Sequence, residues 1–396
     1  MTYRPAARLA DIEPFHVVEL LTRARQLEAE GRDIIHMEVG EPDFPTPEPI
    51  TRAAVAAISQ GKTLYTQALG LPELRAAIAK FYGERYGVAV PACRIAITNG
   101  ASGALNLAFA ALANPGDEWL LADPGYPCNR HILRTYEGTP VALPVGPESN
   151  FQPTASQVDA AWSERTSGLL VASPANPTGT LLTAEEITAL AEVCRRRQGH
   201  FMVDEIYHGL TYAPKEVPQG KETDAPTACA AGDDIWVINS FSKYFQMTGW
   251  RLGWMVIPEA YVRDVEKLAQ NLVLCPSTPA QHAALAAFEP DTIALLEERR
   301  AEFRRRRDFL TPRLEAIGFR ITARPEGAFY LYCDCSQLSC DSFTLARDLL
   351  EKAGVAATPG LDFGSNAPEK HIRFAYTTGV ERLAEATERL SRYFGR

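Results

Sequence analysis

From about residue 94 to residue 274 the chain alternates short apolar runs with helical patterns, and this alternation restricts its fold more than any other feature. Candidate strands lie at 94–98, 119–122, 168–173, 201–203, 235–239 and 252–257. An Ala/Leu-rich helix at 101–113 and further helical stretches at 126–136, 183–197 and 259–274 fall among them. In 183–197, Thr183 stands as N-cap with Glu186 three positions on, a capping box. Apolar strands separated by helices predict a mostly parallel sheet covered on both faces. The pattern changes after residue 289. A long charged helix at 291–317 leads to strands near 319–322 and 328–332, a helix at 342–353, a strand at 371–375 and a last helix from Val380. That predicts an α+β module completed by the N-terminal arm. The expected division is 1–47 (arm and part of the small domain), 48–290 (large domain) and 291–396 (small C-terminal domain).

Composition excludes several classes of function. Lys plus Arg number 40 against 49 Asp plus Glu, a net charge of −9, which argues against nucleic acid as a main partner. No apolar run reaches the ~18 residues of a membrane span. The first ten residues lack the apolar core of a secretion signal, so a cytoplasmic location is expected. The 8 cysteines are sparse in a chain of 396 residues and read as reduced thiols. Cys333, Cys335 and Cys340 suggest a metal cluster, but the alternation from Phe329 to Cys333 reads better as a strand entering a loop, and no metal is expected. The run Arg304-Arg305-Arg306-Arg307, with Glu297, Glu298 and Glu302 nearby, reads as a solvated helix face rather than a basic patch.

In such sheets, ligands bind beyond the carboxyl ends of the strands. The stretch Ser240-Phe241-Ser242-Lys243 lies there, and leads through Gly249 to Arg251. A lysine amine forms a Schiff base only when deprotonated, as in a desolvated site or beside another cation. Two hydroxyls and a guanidinium suit a phosphate dianion. Asn99-Gly100-Ala101-Ser102-Gly103 puts free amides at a helix N-terminus, a ready anion site. Asp204 ends a strand and can hold a cationic nitrogen, with Glu205 and Tyr207 following. Asn176-Pro177-Thr178-Gly179 and Pro124-Gly125-Tyr126-Pro127 follow other strand ends, Tyr126 offering an aromatic face. Taken singly, each has an ordinary structural reading: a surface lysine, a helix cap, a proline turn, a packing tyrosine.

Taken in order, these segments, with Arg251 and Arg373, resemble the class I/II aminotransferases, pyridoxal-phosphate enzymes of fold type I. The resemblance runs from Val39-Gly40-Glu41-Pro42-Asp43-Phe44 to the C-terminal helices, and is nearest the subgroup with a mobile N-terminal arm. It implies a mostly parallel seven-stranded sheet flanked by helices plus a smaller α+β domain. It implies pyridoxal 5'-phosphate as cofactor, with a ping-pong transfer of the amino group from an L-amino acid to a 2-oxo acid. Lys243 would carry the cofactor as an aldimine and then act as base and acid. Asp204 would pair with the ring nitrogen, Tyr207 and Asn176 would donate to the ring hydroxyl oxygen, and Tyr126 would stack. Ala101, Ser102, Ser240, Ser242 and Arg251 would hold the phosphate. Arg373 would clamp the substrate carboxylate, helped by Gly40 and Asn176. Tyr65 resembles a tyrosine that reaches the phosphate from a neighbouring subunit, which implies a homodimer with shared sites.

Substrate choice is less legible. Phe15 resembles the segment that closes over substrate. Where some aspartate-specific relatives carry a basic residue after the phosphate-loop glycines, this chain has Ser102, which favours an apolar, small or aromatic donor over a dicarboxylate. The segment Phe363-Gly364-Ser365-Asn366-Ala367-Pro368 departs from the family by lacking a second glycine before the arginine. Two alternatives stay open. One is another reaction of the same cofactor, such as carbon–sulfur β-elimination or ring closure to a cyclopropane amino acid. The other is an effector-binding role, for which residues 1–47 are too short to supply a DNA-binding domain.

Overall fold

The computed structural model describes residues 4–212 and 224–396. The chain begins with helix α1 (His16–Ala29), strand β1 (Ile35–His36) and helices α2 (Glu48–Ser59) and α3 (Pro72–Tyr86). Seven strands then build the central sheet: β2 (Ile95–Thr98), β3 (Glu118–Asp123), β4 (Thr139–Pro144), β5 (Thr166–Ala172), β6 (His200–Asp204), β7 (Trp236–Ser240) and β8 (Gly253–Val256). Helices α4 (Gly100–Leu112), α5 (Pro127–Thr135), α6 (Ala155–Ala161), α7 (Ala184–Arg196) and α8 (Val262–Leu272) come between or after them. The strand order is β2-β8-β7-β6-β5-β3-β4, and β8 alone runs antiparallel to its neighbours.

Side chains alternate across the pleat, so each strand feeds two apolar layers. Trp119, Leu121, Leu170, Met202, Trp236, Ile238 and Met255 join the cluster of α4, α5 and α8. Leu120, Leu169, Val171, Phe201, Val203, Val237, Trp254 and Val256 join the opposite cluster, with Tyr82, Val158 and Ile187 of α3, α6 and α7. Both faces are therefore covered, as the alternating pattern predicts. Strand β4, which the sequence reading omits, contains Pro140 and Pro144 and lies at the sheet edge. An edge strand has a neighbour on one side only, so it tolerates prolines that a central strand excludes.

The remainder forms a second layer system. Helices α9 (Thr278–Leu285) and α10 (Pro290–Ile317) lead to β9 (Arg320–Ile321), β10 (Tyr330–Asp334), helix α11 (Ser342–Asp348), β11 (Val355–Ala356), β12 (Thr358–Pro359), β13 (His371–Ala375) and helix α12 (Val380–Tyr393). An antiparallel sheet has the order β12-β13-β10-β9, while β11 pairs in parallel with β1 from the N-terminal segment. The strand expected at 328–332 begins only at Tyr330, because Ala328 has φ 58, a left-handed conformation that does not continue a strand. The helix expected at 342–353 passes after Asp348 into a π turn, Leu349–Ala353.

The arginine run corrects the sequence reading. Arg306 and Arg307 are buried, not solvated. Arg306 pairs with Asp43 (2.7 Å) and Glu302 (2.9 Å), and its guanidinium lies over Phe44 and Phe303. Arg307 donates to the Pro325 carbonyl (2.9 Å) and pairs with Asp308. Charge periodicity along α10 cannot show that Asp43, far away in sequence, lies against it. Among the described residues no helix is long and apolar enough to cross a membrane.

Candidate active site

The edge at which the parallel strands end is also the edge at which β8 begins, because β8 is reversed. The segments after β2, β3, β5, β6 and β7 converge there, and Arg251, just before β8, joins them although it follows Lys243 closely in sequence. A cavity of about 340 Å³ opens at this edge. Of the residues singled out from sequence, Phe15, Gly40, Ala101, Ser102, Tyr126, Asn176, Asp204, Tyr207, Ser242, Lys243, Arg251 and Arg373 line it.

One end of the cavity is built for an anion. Helix α4 starts at Gly100 after Asn99, which contributes no side-chain cap, so the amides of its first turn are not claimed by a capping side chain. Gly100 has φ 70, a conformation that favours glycine, and a Cβ there would come within 2.8 Å of Arg251 Nη2. Arg251 Nη1 donates to the Thr248 carbonyl (3.0 Å). Ser240 and Ser242 place their hydroxyls 2.9 Å apart beside this cup.

Lys243 occupies the centre. Its Nζ donates to the Gly40 carbonyl at 2.6 Å. Burial lowers its pKa to about 8, with Arg373 and Arg251 pushing the same way against Glu41 and Asp204. Burial pushes the Asp204 carboxyl up to about 6, restrained by the Ile206 N–H (3.0 Å) and by Lys243. A buried amine and a buried carboxyl thus have their titrations drawn towards neutrality, as acid–base chemistry requires. Tyr207 shares a 2.8 Å hydrogen bond with the hydroxyl of Tyr330. A Cβ on Gly40 would collide with that Tyr330 hydroxyl, so Gly40 is glycine for space.

Arg373, on β13, is buried. Its Nη1 donates to Asn176 Oδ1 (2.7 Å), and Nη2 donates to the Glu38 carbonyl (2.6 Å) and Thr358 Oγ1 (3.2 Å). Its guanidinium lies 4.2 Å from the Tyr330 ring centroid and 4.8 Å from that of Phe363. The Nε has no hydrogen-bond partner although it is buried, and a buried donor of this kind is costly unless a ligand accepts from it. Because Asn176 turns its carbonyl oxygen to Arg373, its amide N–H bonds remain for another acceptor.

Two expected residues are placed differently from the rest. Ser240 is buried behind the cup rather than in the cavity lining. Tyr65 is 80% exposed, beside the equally exposed Leu64, and does not line its own chain's cavity. Sequence reasoning did not single out Tyr330, Thr248, Thr358 or Glu38. Tyr330 sat within an aromatic alternation that signals only a strand, and Glu38 acts on Arg373 through a backbone carbonyl, for which no motif exists.

The model of the family "aminotransferase class I and II" matches residues 32–390, and the chain belongs to that family. Its fold is fold type I, and it is a pyridoxal-phosphate-dependent transaminase acting on amino acid and 2-oxo acid substrates. Among its relatives is a valine–pyruvate aminotransferase of Mycobacterium tuberculosis, 39% identical over 98% of each chain. An aspartate/prephenate aminotransferase of Thermus thermophilus is 35% identical over 98% of each. A crystal structure of an aminotransferase from Mycobacterium tuberculosis superposes with TM-score 0.94 at 38% identity, covering 100% of both chains. Aspartate aminotransferase from Thermus thermophilus with maleate gives 0.89 at 34%, covering 99% of this chain and 100% of the other. The donor set fits the cofactor of this family. A desolvated amine, a buried carboxyl, an aromatic face and an amide-and-guanidinium cup surround one cavity, and the unpartnered Arg373 Nε suits a substrate carboxylate.

Proposed function

We propose that this transaminase takes its amino group from an apolar L-amino acid and works as a homodimer with shared sites. The observation that carries the first part is the charge inventory of the cavity. Among the residues lining it, the cations are Lys243, Arg251 and Arg373, and each has a task at the reacting centre, the phosphate or the α-carboxylate. None remains to pair a distal carboxylate. The wall contributed by α1 and the residue before it is Phe15, Val17, Val18 and Leu21, an apolar surface. The valine–pyruvate specificity in the name of the 39% identical relative agrees with this reading. The second part is supported by Tyr65 and Leu64, two large, exposed side chains that a symmetric partner would cover.

In this reading residues 48–290 form the cofactor-holding domain, with 1–47 and 291–396 forming the arm and small domain. The first-turn amides at Ala101 and Ser102, the hydroxyls of Ser240 and Ser242, and Arg251 hold the phosphate, with Tyr65 of the partner subunit. Tyr126 covers one face of the ring. Tyr207 and the free amide N–H of Asn176 donate to the ring hydroxyl oxygen. Pyridoxal phosphate, once bound, supplies an electron sink for the bond broken at the substrate Cα. Asp204 keeps the ring nitrogen protonated through a carboxylate held between the Ile206 N–H and the cavity. Arg373, oriented by Asn176, Glu38 and Thr358, fixes the substrate carboxylate and hence the direction of the Cα–H bond. Lys243 removes that proton and returns it, and its lowered pKa lets it carry out both transfers near neutral pH.

A screen of amino donors against keto acceptors on purified holoenzyme tests the proposal. Valine or leucine should form their keto acids with concurrent amination of pyruvate or 2-oxoglutarate, alanine should do so with 2-oxoglutarate, and aspartate should be a poorer donor. A preference for aspartate would refute the apolar reading. Ammonia and pyruvate released from a cysteine conjugate, without a new amino acid, would refute transamination as the main reaction.

A further inference from the structure

We infer that Asp362 is a positioning residue that sets discrimination for the donor side chain by seating the first turn of α1 against the cavity. The inference rests on the transaminase reading with an apolar side-chain wall. Helix α1 starts after Phe15, whose apolar side chain makes no capping hydrogen bond. A helix start leaves its first amides without intrahelical partners, and Ser, Thr, Asp or Asn at the N-cap ordinarily accepts from one of them. Here the acceptor comes from another part of the chain. Asp362 Oδ1 accepts the His16 N–H at 2.9 Å, and Oδ2 accepts the Val17 N–H at 2.8 Å, across 346 and 345 residues of sequence.

This borrowed cap has a consequence for the site. With the capping task transferred to Asp362, the N-cap position is free to be phenylalanine. Phe15, Val17, Val18 and Leu21 can then form one apolar wall of the cavity, although α1 begins within it. Asp362 does not itself line that cavity, so it acts through α1. The carboxylate is also held firmly. It is buried in the short turn Gly360–Phe363 after β12, and its own carbonyl accepts from Arg130 Nη2 at 3.2 Å. The next residue, Phe363, lies against the Arg373 guanidinium. One turn of chain therefore fixes the wall that meets the donor side chain and packs against the group that holds the donor carboxylate. A donor long enough to reach Phe15 and α1 senses Asp362, whereas alanine, with a single methyl, does so least.

The test compares wild-type, Asp362→Asn and Asp362→Ala holoenzymes with alanine, valine and leucine as donors, alongside amide hydrogen exchange of residues 15–21. Loss of a helix cap of ordinary strength predicts a KM for valine and leucine raised about threefold to thirtyfold in Asp362→Ala. The KM for alanine should change less than about twofold and kcat should hold for all three donors, as expected for lost uniform binding of the side chain. Asp362→Asn, which keeps one acceptor oxygen, should fall between, and carries the same comparison if the alanine variant fails to fold. Exchange at both His16 and Val17 should quicken in Asp362→Ala, and at one of the two in Asp362→Asn. A KM that rises equally for alanine and leucine, or a kcat loss with KM unchanged, would overturn the inference, as would unaltered exchange at His16 and Val17. If wild-type enzyme uses none of these donors, the proposed donor class fails and so does Asp362's part in selecting among them, while the exchange result still decides whether Asp362 seats α1.

Discussion

Asp123, at the end of β3, offers a way to measure what holds the loop before Arg373. Its two carboxylate oxygens accept the Ser365 N–H (3.1 and 2.9 Å), the Ser365 hydroxyl (2.8 Å) and the Asn366 N–H (3.3 Å). Gly364 has φ 150, and a Cβ there would overlap the same carboxylate. Replacing Asp123 with alanine strands two backbone donors, because the hydroxyl can turn elsewhere. Ser365 is exposed and Asn366 half-buried, so water can partly replace the lost acceptor, and each bond contributes about 0.5–1.5 kcal/mol net. The Asn366 side chain still bonds the residue 123 and Val145 carbonyls, and Gly125 N–H still bonds the Phe363 carbonyl, so the loop stays attached. The expected loss is therefore about 1–3 kcal/mol for Asp123→Ala and about 0.5–1.5 kcal/mol for Asp123→Asn, which retains one acceptor. Urea denaturation followed by tryptophan fluorescence measures it as a lowered midpoint at unchanged slope. Because Phe363 lies against Arg373, the KM for the amino donor should rise more than kcat falls. A stability change under about 0.5 kcal/mol, within the scatter of ordinary surface substitutions, would refute the clamp. A kcat loss at constant KM would refute its link to Arg373.

Two further outcomes follow from the site. Capture of pyridoxal phosphate by the apoenzyme needs the free amine of Lys243, whose pKa lies near 8; the protonated form dominates below that pH, so the capture rate should climb as pH rises through about 8 and should vanish in Lys243→Ala. A rate flat from pH 6.5 to 9 would show that the amine is already free at the lower pH. Mixing inactive Tyr65→Ala with inactive Lys243→Ala should restore partial activity on verified subunit exchange, since one site of the mixed dimer would have both native residues; no recovery would place Tyr65 outside the partner's site.

The parts of this molecule legible in the sequence are those in which a single segment carries its own signal. The sheet strands are apolar runs, and Thr183 with Glu186 is a local exchange of hydrogen bonds that the structure contains. Lys243, Asp204, Asn176 and Tyr126 stand at or just after strand ends, where an α/β sheet presents ligands. The parts that stayed hidden depend on partners distant in sequence. Asp43 neutralises Arg306, so half of a run that reads as solvated is buried. Asp362 caps a helix that begins over three hundred residues earlier. The loop lacking a second glycine places Ala367 at φ 50, and its approach to β3 is set by Asp123, which carries no motif. Strand β4 was missed because its prolines argue against a strand unless the edge position is already known.

The reversal of β8 bears on how this site tolerates change. Lys243 and Arg251 are the two mouths of one hairpin, and the β7–β8 ladder pairs Ser240 with Gly253 just inside them. The spacing between the Lys243 amine and the Arg251 guanidinium is thus set largely by ladder register. The connection is itself packed, with Tyr244, Phe245 and Met247 buried, so insertions there would displace core side chains. A slip of one residue in the ladder would instead turn alternate side chains of β8 to the wrong layer, exposing Met255 and Trp254 to each other's clusters. The ruler between these two groups is the sheet itself.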